Sequence, residues 1–174
     1  MIVLAIALLD KILKPVITGF FYDVNMTKVR LTKEFHFEMA HALWNYDGLC
    51  KNIHGHSYIL FVTVIGEPNK DIKNPKFGMV MDFGDLKRIV NQEIVDQLDH
   101  ALVLSEATPN LERLNIPQMF ERFFITPYQP TCENMIADFA ERIISKLPNE
   151  VNLHSLKLHE TATSFAEWYA SDNL

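Results

Sequence analysis

The sequence predicts a single α+β domain, in which an antiparallel β-sheet carries two helices on one face. Residues 28–41 and 56–65 have the alternation or the β-branched composition of strands, and 151–158 returns to that pattern near the end of the chain. Two stretches between them, which begin at Asp82 and Thr131, repeat apolar residues at helical spacing. Strands and helices that are grouped in this way favour the α+β class.

The composition is that of one globular domain. The chain has 174 residues and a mass of 20.1 kDa, and 48% of its residues are hydrophobic while 22% are charged. These values exclude a disordered tail, a collagen-like fibre and a disulfide-dense mini-protein. The net charge of −6 argues against a nucleic-acid partner, although it is compatible with a small phosphorylated ligand.

Residues 1–25 are interpreted as an N-terminal extension. The chain starts with an apolar run, but the charged residues Asp10 and Lys11 follow this run rather than precede it, unlike in a signal peptide. The run is also too short to span a bilayer, so no membrane partner is expected. It is an extra helix, a weak export signal, or sequence upstream of a true start at Met26. We favour the last interpretation, because the regular pattern begins directly after Met26, and we assign 26–174 to a single domain.

The first predicted strand, 28–41, alternates apolar and polar residues along its length. His41 has the parity of the apolar residues, so its side chain is expected to point into the protein. The apolar members of the strand are Val29, Leu31, Phe35, Phe37 and Met39.

Each predicted helix has a capping residue. Asp82 can cap the first helix, with Asp85 in a capping-box-like position, and Thr131 can cap the second. The segment 105–130 has no clear pattern, and one more strand is expected before Thr131 or after Thr161. Because the sheet leaves edges and one face to be covered, we expect oligomerisation. The apolar positions are Leu86, Ile89, Val90, Ile94 and Leu98 in the first helix and Met135, Ile136, Phe139, Ala140, Ile143, Ile144 and Leu147 in the second.

Three histidines form the strongest chemical pattern in the sequence. His54 and His56 are separated by Gly55, so both imidazoles lie on one face if the second strand begins there. His41 ends the preceding strand, and a hairpin pairing would bring it alongside. Three neutral imidazoles with an open fourth position are typical of catalytic zinc. The alternative is three unrelated histidines that make ordinary hydrogen bonds in the core or at the surface.

Cys50 lies four residues before His54, in a loop that must pass near the predicted metal site. A thiol beside imidazoles and Zn²⁺ is favoured as the thiolate, which is a nucleophile or a base. Two other interpretations remain open: a fourth zinc ligand in a closed structural site, or an inert buried cysteine. Cys132 is assigned to packing. Two cysteines cannot form a disulfide framework, and their use fits a reducing cytoplasm.

Two further acidic positions are candidates. Asp99 and His100 end the first helix, where the Asp can orient the His for proton transfer, or the His can simply favour the helix dipole. Glu160 follows the last strand. It is either an exposed carboxylate or an acceptor for the paired N–H groups of a pterin or guanine edge.

Six short motifs occur in one order along residues 27–163, and together they resemble the 6-pyruvoyltetrahydropterin synthase family. The resemblance is closer to its bacterial branch, the 6-carboxytetrahydropterin synthases of queuosine biosynthesis, because only three residues separate Cys50 from His54. The motifs are FHFEMAH at 35–41, CKNIHGH at 50–56, VMDFGDLK at 80–87, QLDH at 97–100, PTCEN at 130–134 and LHET at 158–161.

The resemblance assigns a metal centre and a thiol. It implies that His41, His54 and His56 are the three zinc ligands of the family. It also implies that Cys50 is the catalytic thiol, which selects one of the three interpretations left open above.

The resemblance also assigns proton transfer and substrate binding. It implies that Asp99 and His100 work with the cysteine in proton transfer. It implies that Glu160 anchors the amidine edge of the pterin, with Thr131 in the same pocket. The fold expected from the family is an antiparallel sheet with two helices on one face, assembled into oligomeric barrels, as a hexamer or a tetramer, with sites between subunits.

The implied activity is that of a zinc-dependent lyase. It would convert 7,8-dihydroneopterin triphosphate to 6-carboxytetrahydropterin, acetaldehyde and triphosphate, in the cytoplasm, and Lys51, Arg30 and Lys33 are candidates for binding the triphosphate. One alternative is the pyruvoyl synthase reaction, which eliminates triphosphate without cleaving a carbon–carbon bond. Two further alternatives are a non-catalytic zinc module that binds a pterin or purine, and a structural zinc domain with Cys50 as the fourth ligand.

Overall fold

The structure is a computed structural model that describes residues 27–113 and 115–173; the predicted extension 1–25 lies outside these residues. Its centre is a mixed six-stranded sheet with the strand order β4-β3-β1-β2-β5-β6. The strands are β1 (Val29–His41), β2 (His54–Gly66), β3 (Ala101–Ser105), β4 (Phe123–Thr126), β5 (Val151–His159) and β6 (Phe165–Tyr169).

Strands β1 and β2 form a long antiparallel hairpin that places the candidate site. Their register runs without interruption from Val29 opposite Gly66 to His41 opposite His54. The first strand is therefore confirmed, and the second begins at His54, two residues earlier than the pattern predicted. Because side chains alternate along a strand, this register directs His41, His54 and His56 to the same side of the sheet.

The predicted α+β class is confirmed, but the sheet is not antiparallel throughout. Strand β5 pairs antiparallel with β2, and β6 pairs antiparallel with β5, whereas β3 and β4 run parallel to β1. The sequence analysis missed β3 because all five of its residues are buried, so it lacks the alternation that reveals a half-buried strand. One further strand was expected before Thr131 or after Thr161, and the structure has a strand in both places, β4 and β6.

Two main helices are capped as predicted. Helix α1 (Phe83–Val90) continues through a π-helical turn (Asn91–Val95) and a last turn (Asp96–Leu98), and two short helices, α2 (Ile116–Met119) and α4 (Ala170–Asn173), flank helix α3 (Cys132–Ile144). The Asp82 carboxylate accepts from the Gly84 N–H, and the Thr131 hydroxyl accepts from the Asn134 N–H. Asp85 departs from the capping-box expectation: it forms an ion pair with Lys76 instead.

Helices α1 and α3 pack on the same face of the sheet, as the sequence predicts. Residues such as Leu86 and Phe139 are fully buried against the inward side chains of β1 and β2, among them Phe37 and Leu60. The ring of Phe37 stacks on that of Tyr58, with centroids 5.1 Å apart, and contacts Phe139 edge-on at 6.3 Å. This core supports the strand ends that carry the candidate site.

Part of the segment that had no clear pattern packs on the other face of the sheet, while its strand β4 extends the sheet itself. It contains the 3-10 turn Leu111–Arg113, helix α2 and strand β4, and Ile116 joins Leu102 and Leu104 of β3 in a second, smaller core. None of the helices within the described residues is both long enough and apolar enough to cross a membrane.

Candidate metal centre and active site

The structure brings the three predicted histidines together. His41 at the end of β1 and His54 and His56 at the start of β2 each offer a ligand atom, and these atoms all lie within 4.8 Å of one another. The position of Gly55 between the two β2 histidines leaves little room for a side chain, since a Cβ there would meet the backbone oxygen of Met39 at 3.2 Å. The proximity of the three side chains is confirmed, whereas their role as metal ligands stays a prediction.

Backbone carbonyls orient two of these imidazoles. The Nδ1 atom of His41 donates to the oxygen of Pro130 at 2.7 Å, and Nδ1 of His54 donates to the oxygen of Asn52 at 2.9 Å. Because a carbonyl only accepts, each Nδ1 carries the proton and each Nε2 keeps its lone pair, which is the arrangement found in metal-ligating histidines. Within the described residues, Nε2 of His41 and of His56 are buried without a hydrogen-bond partner. These orphaned nitrogens fit a bound metal ion.

The electrostatic surroundings favour neutral imidazoles. Burial lowers the pKa of His41, and the charge of His54 lowers it further, against the opposing hydrogen bond to Pro130. Burial also lowers the pKa of His56. Neutral imidazole is the form that binds a metal, so the lowered pKa values extend the pH range in which ligands are available.

Glu160 lies directly beside this cluster. Its Oε1 atom is 3.8 Å from Nε2 of His41 and 3.9 Å from Nε2 of His56, and the carboxylate is about a quarter exposed. The residue follows β5, and its backbone N–H donates to the oxygen of Ser164 across the β5–β6 connection. This tight connection fixes the base of the side chain at the edge of the site.

Sequence reasoning missed Tyr58, which completes this side of the site. Tyr58 is fully buried, and its hydroxyl donates to Oε1 of Glu160 at 3.4 Å. Burial, and then the charge of Glu160, raise the pKa of Tyr58, so the phenol stays protonated. Its parity was the available signal, because residues 54, 56 and 58 alternate onto one face of β2.

Cys50 lies in a short 3-10 turn, Leu49–Lys51, within the β1–β2 connection. Both cysteines of the chain are free, and the Cys50 thiol is half-buried. Cys50 follows the end of β1 and precedes the start of β2, the two strand ends that carry the histidines. The thiol does not belong to the group of ligand atoms within 4.8 Å, which is evidence against a closed site with Cys50 as fourth ligand.

Two segments brace the loop that carries Cys50. The N–H of Leu43 donates to the oxygen of Cys50 at 2.9 Å, which closes the loop on itself. The side-chain amide of Gln129 accepts from the N–H of Trp44 at 3.1 Å and donates to its oxygen at 2.7 Å. Thr131 lies two residues after this glutamine, directly after the carbonyl that orients His41, so the start of α3 contacts the loop and the metal centre.

The structure does not bring Asp99 and His100 to Cys50. The Asp99 carboxylate accepts from the N–H of Glu38 at 2.9 Å, which lowers its pKa, and lies 3.1 Å from Nδ1 of His100. With Glu38 and Ser57, His100 lines a groove of about 650 Å³ on the side of the sheet opposite α1 and α3, and this groove extends to His56. Within the described residues, no hydrogen bond or ion pair joins this pair to Cys50.

Two of the three candidates for binding triphosphate lie far from the site. Lys33 is eight residues before His41 in β1, which corresponds to about 26 Å along an extended strand, and Arg30 is farther away. Lys51 is next to Cys50 and remains the one candidate of the three at the site.

Comparisons with known proteins agree on one family. Residues 30–171 match the sequence model of the 6-pyruvoyl tetrahydropterin synthase family. A 6-carboxy-5,6,7,8-tetrahydropterin synthase from Haemophilus influenzae is 35% identical over 141 residues, which cover 80% of this chain and 97% of that protein. A relative of the same name from Synechocystis sp. is 33% identical over 139 residues, which cover 79% of this chain and 91% of the relative.

Solved structures share the fold at lower sequence identity. An uncharacterized protein of Wolinella succinogenes superposes with a TM-score of 0.68 at 22% identity, covering 83% of this chain and 99% of that one. The 6-pyruvoyl tetrahydropterin synthase of Caenorhabditis elegans superposes with a TM-score of 0.59 at 23% identity, covering 83% and 97%. The fold, the sequence match and the close relatives lead to one conclusion: the chain belongs to the 6-pyruvoyl tetrahydropterin synthase family.

Proposed function

We propose that this protein is a zinc-dependent 6-carboxy-5,6,7,8-tetrahydropterin synthase. It would convert 7,8-dihydroneopterin triphosphate and water to 6-carboxytetrahydropterin, acetaldehyde and triphosphate, a step of queuosine biosynthesis. The observation that carries the proposal is the group of three histidines at two adjacent strand ends, which are joined by the loop that carries a free thiol. The names of the relatives from Haemophilus influenzae and Synechocystis sp. support the choice of product.

His41, His54 and His56 would hold the zinc ion. Two of them are already oriented by backbone carbonyls, and the buried Nε2 atoms of His41 and His56 have no other partner within the described residues. A zinc ion bound there supplies Lewis acidity, which lowers the pKa of a substrate hydroxyl and stabilises developing negative charge.

The other residues of the chain would bind the substrate and move protons. The Glu160 carboxylate would accept from the N–H pair of the pterin, with Thr131 at the same pocket. Cys50, as the thiolate, would take a proton from the substrate side chain. Asp99 would hold His100 in the orientation that returns or relays a proton on the opposite side.

His100 and Cys50 act together in this proposal only if a second copy of the chain completes the site. His100 lines the groove with Glu38 and Ser57, whereas Cys50 lies in the β1–β2 connection, and within the described residues no hydrogen bond or ion pair joins the two. We therefore include a homo-oligomer, with each site formed between copies. Mixing Cys50→Ala with His100→Ala subunits should restore activity to a fraction of the sites, although each variant alone is inactive. An absence of recovery, with mixed oligomers present, would contradict this arrangement.

The first experiment is an assay of the zinc-loaded protein with 7,8-dihydroneopterin triphosphate, in which acetaldehyde, triphosphate and the pterin product are measured. We expect acetaldehyde and 6-carboxytetrahydropterin in equal amounts. The variant Cys50→Ala should keep its zinc and lose at least about 100-fold in turnover, as for removal of a general base. Both free cysteines fit a reducing cytoplasm, so the assay is run under reducing conditions.

Other outcomes distinguish the alternatives. Triphosphate release with a pyruvoyl pterin and no acetaldehyde would assign the reaction of the pyruvoyl synthases. Binding of the pterin without turnover by the zinc-loaded protein would indicate a binding module. Unfolding on removal of zinc would indicate a structural zinc domain, because a catalytic metal leaves a largely folded apoprotein.

A further inference from the structure

Tyr58 is packed too tightly to change its orientation. Its ring stacks on Phe37 with an interplanar angle of 10°, and it contacts the rings of His56 and His41 edge-on at 5.7 and 6.3 Å. The side chain is fully buried. Such a ring has one accessible rotamer, so the hydroxyl points to one place.

The Tyr58 hydroxyl points to a single oxygen of Glu160. Oε1 accepts from the Tyr58 hydroxyl at 3.4 Å, and this is the one side-chain hydrogen bond that the carboxylate receives within the described residues. The same oxygen lies 3.8 and 3.9 Å from Nε2 of His41 and His56, the two nitrogens that face the metal centre. Oε1 is therefore held at the edge of the metal centre, and Oε2 is left for another donor.

We propose that Tyr58 is a positioning residue, whose hydroxyl occupies Oε1 of Glu160 beside the metal centre and leaves Oε2 free for the substrate. Neighbouring ligands of a tetrahedral zinc ion lie roughly 3.3 Å apart, so Glu160 needs only a small movement to approach the ion. A carboxylate without a hydrogen-bond donor is the stronger ligand, because it is the more basic one. The inference rests on the proposed role of Glu160 in binding the pterin, and it assigns a function to a residue of the core.

The test is Tyr58→Phe, which removes the hydroxyl and keeps the ring. We expect KM for the pterin substrate to rise about 10-fold, as for the loss of a hydrogen bond to a charged group, with kcat changed less than about threefold. Zinc affinity, measured by competition with a chromophoric chelator, should stay equal or increase, because Glu160 is free to approach the metal. A role in packing alone predicts no change in KM or in zinc affinity, because phenylalanine keeps the ring.

Two further variants provide the controls. Tyr128→Phe removes a hydroxyl that donates to the carboxylate of Asp138 at 2.6 Å, away from the site, and should leave KM within about twofold. In a Glu160→Gln background, Tyr58→Phe should add less than about twofold to KM, because the two residues act as one unit.

Three results would overturn the proposal. An unchanged KM in Tyr58→Phe would do so. A rise in KM that is accompanied by a fall in zinc affinity would also do so. Independent, multiplicative effects of Tyr58→Phe and Glu160→Gln would show that the tyrosine does not act through the carboxylate. A failure of the proposed function is recognised separately, because the wild-type protein would then bind no zinc or convert no pterin.

Discussion

The two faces of the β1–β2 hairpin differ in how they hold their functional side chains. On the helix side, His41 is 1% exposed and its ring is fixed by a backbone carbonyl. On the opposite side, the side chain of His100 is 73% exposed and is held by the neighbouring Asp99 in an open groove. On the first face the side chain is fixed by contacts within the chain, whereas on the other face the functional side chain is largely exposed.

The difference shows how one pair of strands separates two kinds of chemistry. Residues of odd and even parity along β1 lie on opposite faces, so Phe37 and His41 enter the core while His36 and Glu38 do not. Core packing gives the inward groups single orientations, which a metal centre requires. The exposed groups need a partner surface to gain the same precision.

The largest expected effect is a difference in the free energy of unfolding between substitutions on the two faces. Replacing Phe37, 2% exposed, with Ala should reduce the free energy of unfolding by about 3–5 kcal/mol, because it leaves a cavity beside Tyr58 and Phe139. The neighbouring change His36→Ala, on the exposed face, should cost less than about 0.5 kcal/mol. Urea unfolding measures both values. If Phe37→Ala does not fold, Phe37→Leu should show an intermediate loss, and equal losses at positions 36 and 37 would contradict the assignment of the faces.

The second expected effect is a difference in zinc affinity between substitutions on the two faces. His41→Ala should weaken zinc binding by more than about 100-fold, since loss of a ligand costs more than loss of its orienting partner. His100→Ala, on the opposite face, should bind zinc as the wild type does. Zinc affinity is measured for both purified variants by chelator competition. A His100→Ala protein that loses its zinc would place that residue in the metal centre and would contradict the separation described above.

A smaller effect is expected at Gln129, whose side-chain hydrogen bonds join the Cys50 loop to the start of α3. Gln129→Ala removes two hydrogen bonds to Trp44, worth about 1 kcal/mol each. Backbone amides of residues 44–51 should then exchange faster with deuterium, while zinc is retained. Gln92→Ala, at an exposed position of the π-helical turn, is the control. Unchanged exchange in Gln129→Ala would show that the loop is held by other contacts.

The smallest effect concerns the pH dependence of the exposed face. The N–H of Glu38, and then His100, lower the pKa of Asp99 in the folded protein below its usual value. A group whose pKa falls on folding stabilises the protein above its unfolded pKa and loses that contribution as the pH drops through the folded value. The stability difference between wild type and Asp99→Asn should therefore be present at pH 7 and disappear toward pH 3. A difference that is independent of pH would contradict this assignment.

Local patterns were sufficient for most of the fold. Alternation predicted β1 and the inward direction of His41, and helical spacing with the caps Asp82 and Thr131 predicted α1 and α3. These features depend on residues that are close together in the chain, so the local order of residue types is enough to predict them. Strand β3 was missed for the same reason, since five buried residues in succession have no alternation to report.

The residues of the candidate site could be predicted from the sequence, but the contacts among them could not. The sequence by itself determined that three histidines face one side of a hairpin, because parity and a two-residue spacing are properties of the strand. Only the tertiary structure decided that Pro130 orients His41, that Tyr58 donates to Glu160, and that His100 lines a groove instead of contacting Cys50. Those contacts join residues far apart in the chain, and their existence depends on strand order and register, which local sequence does not encode.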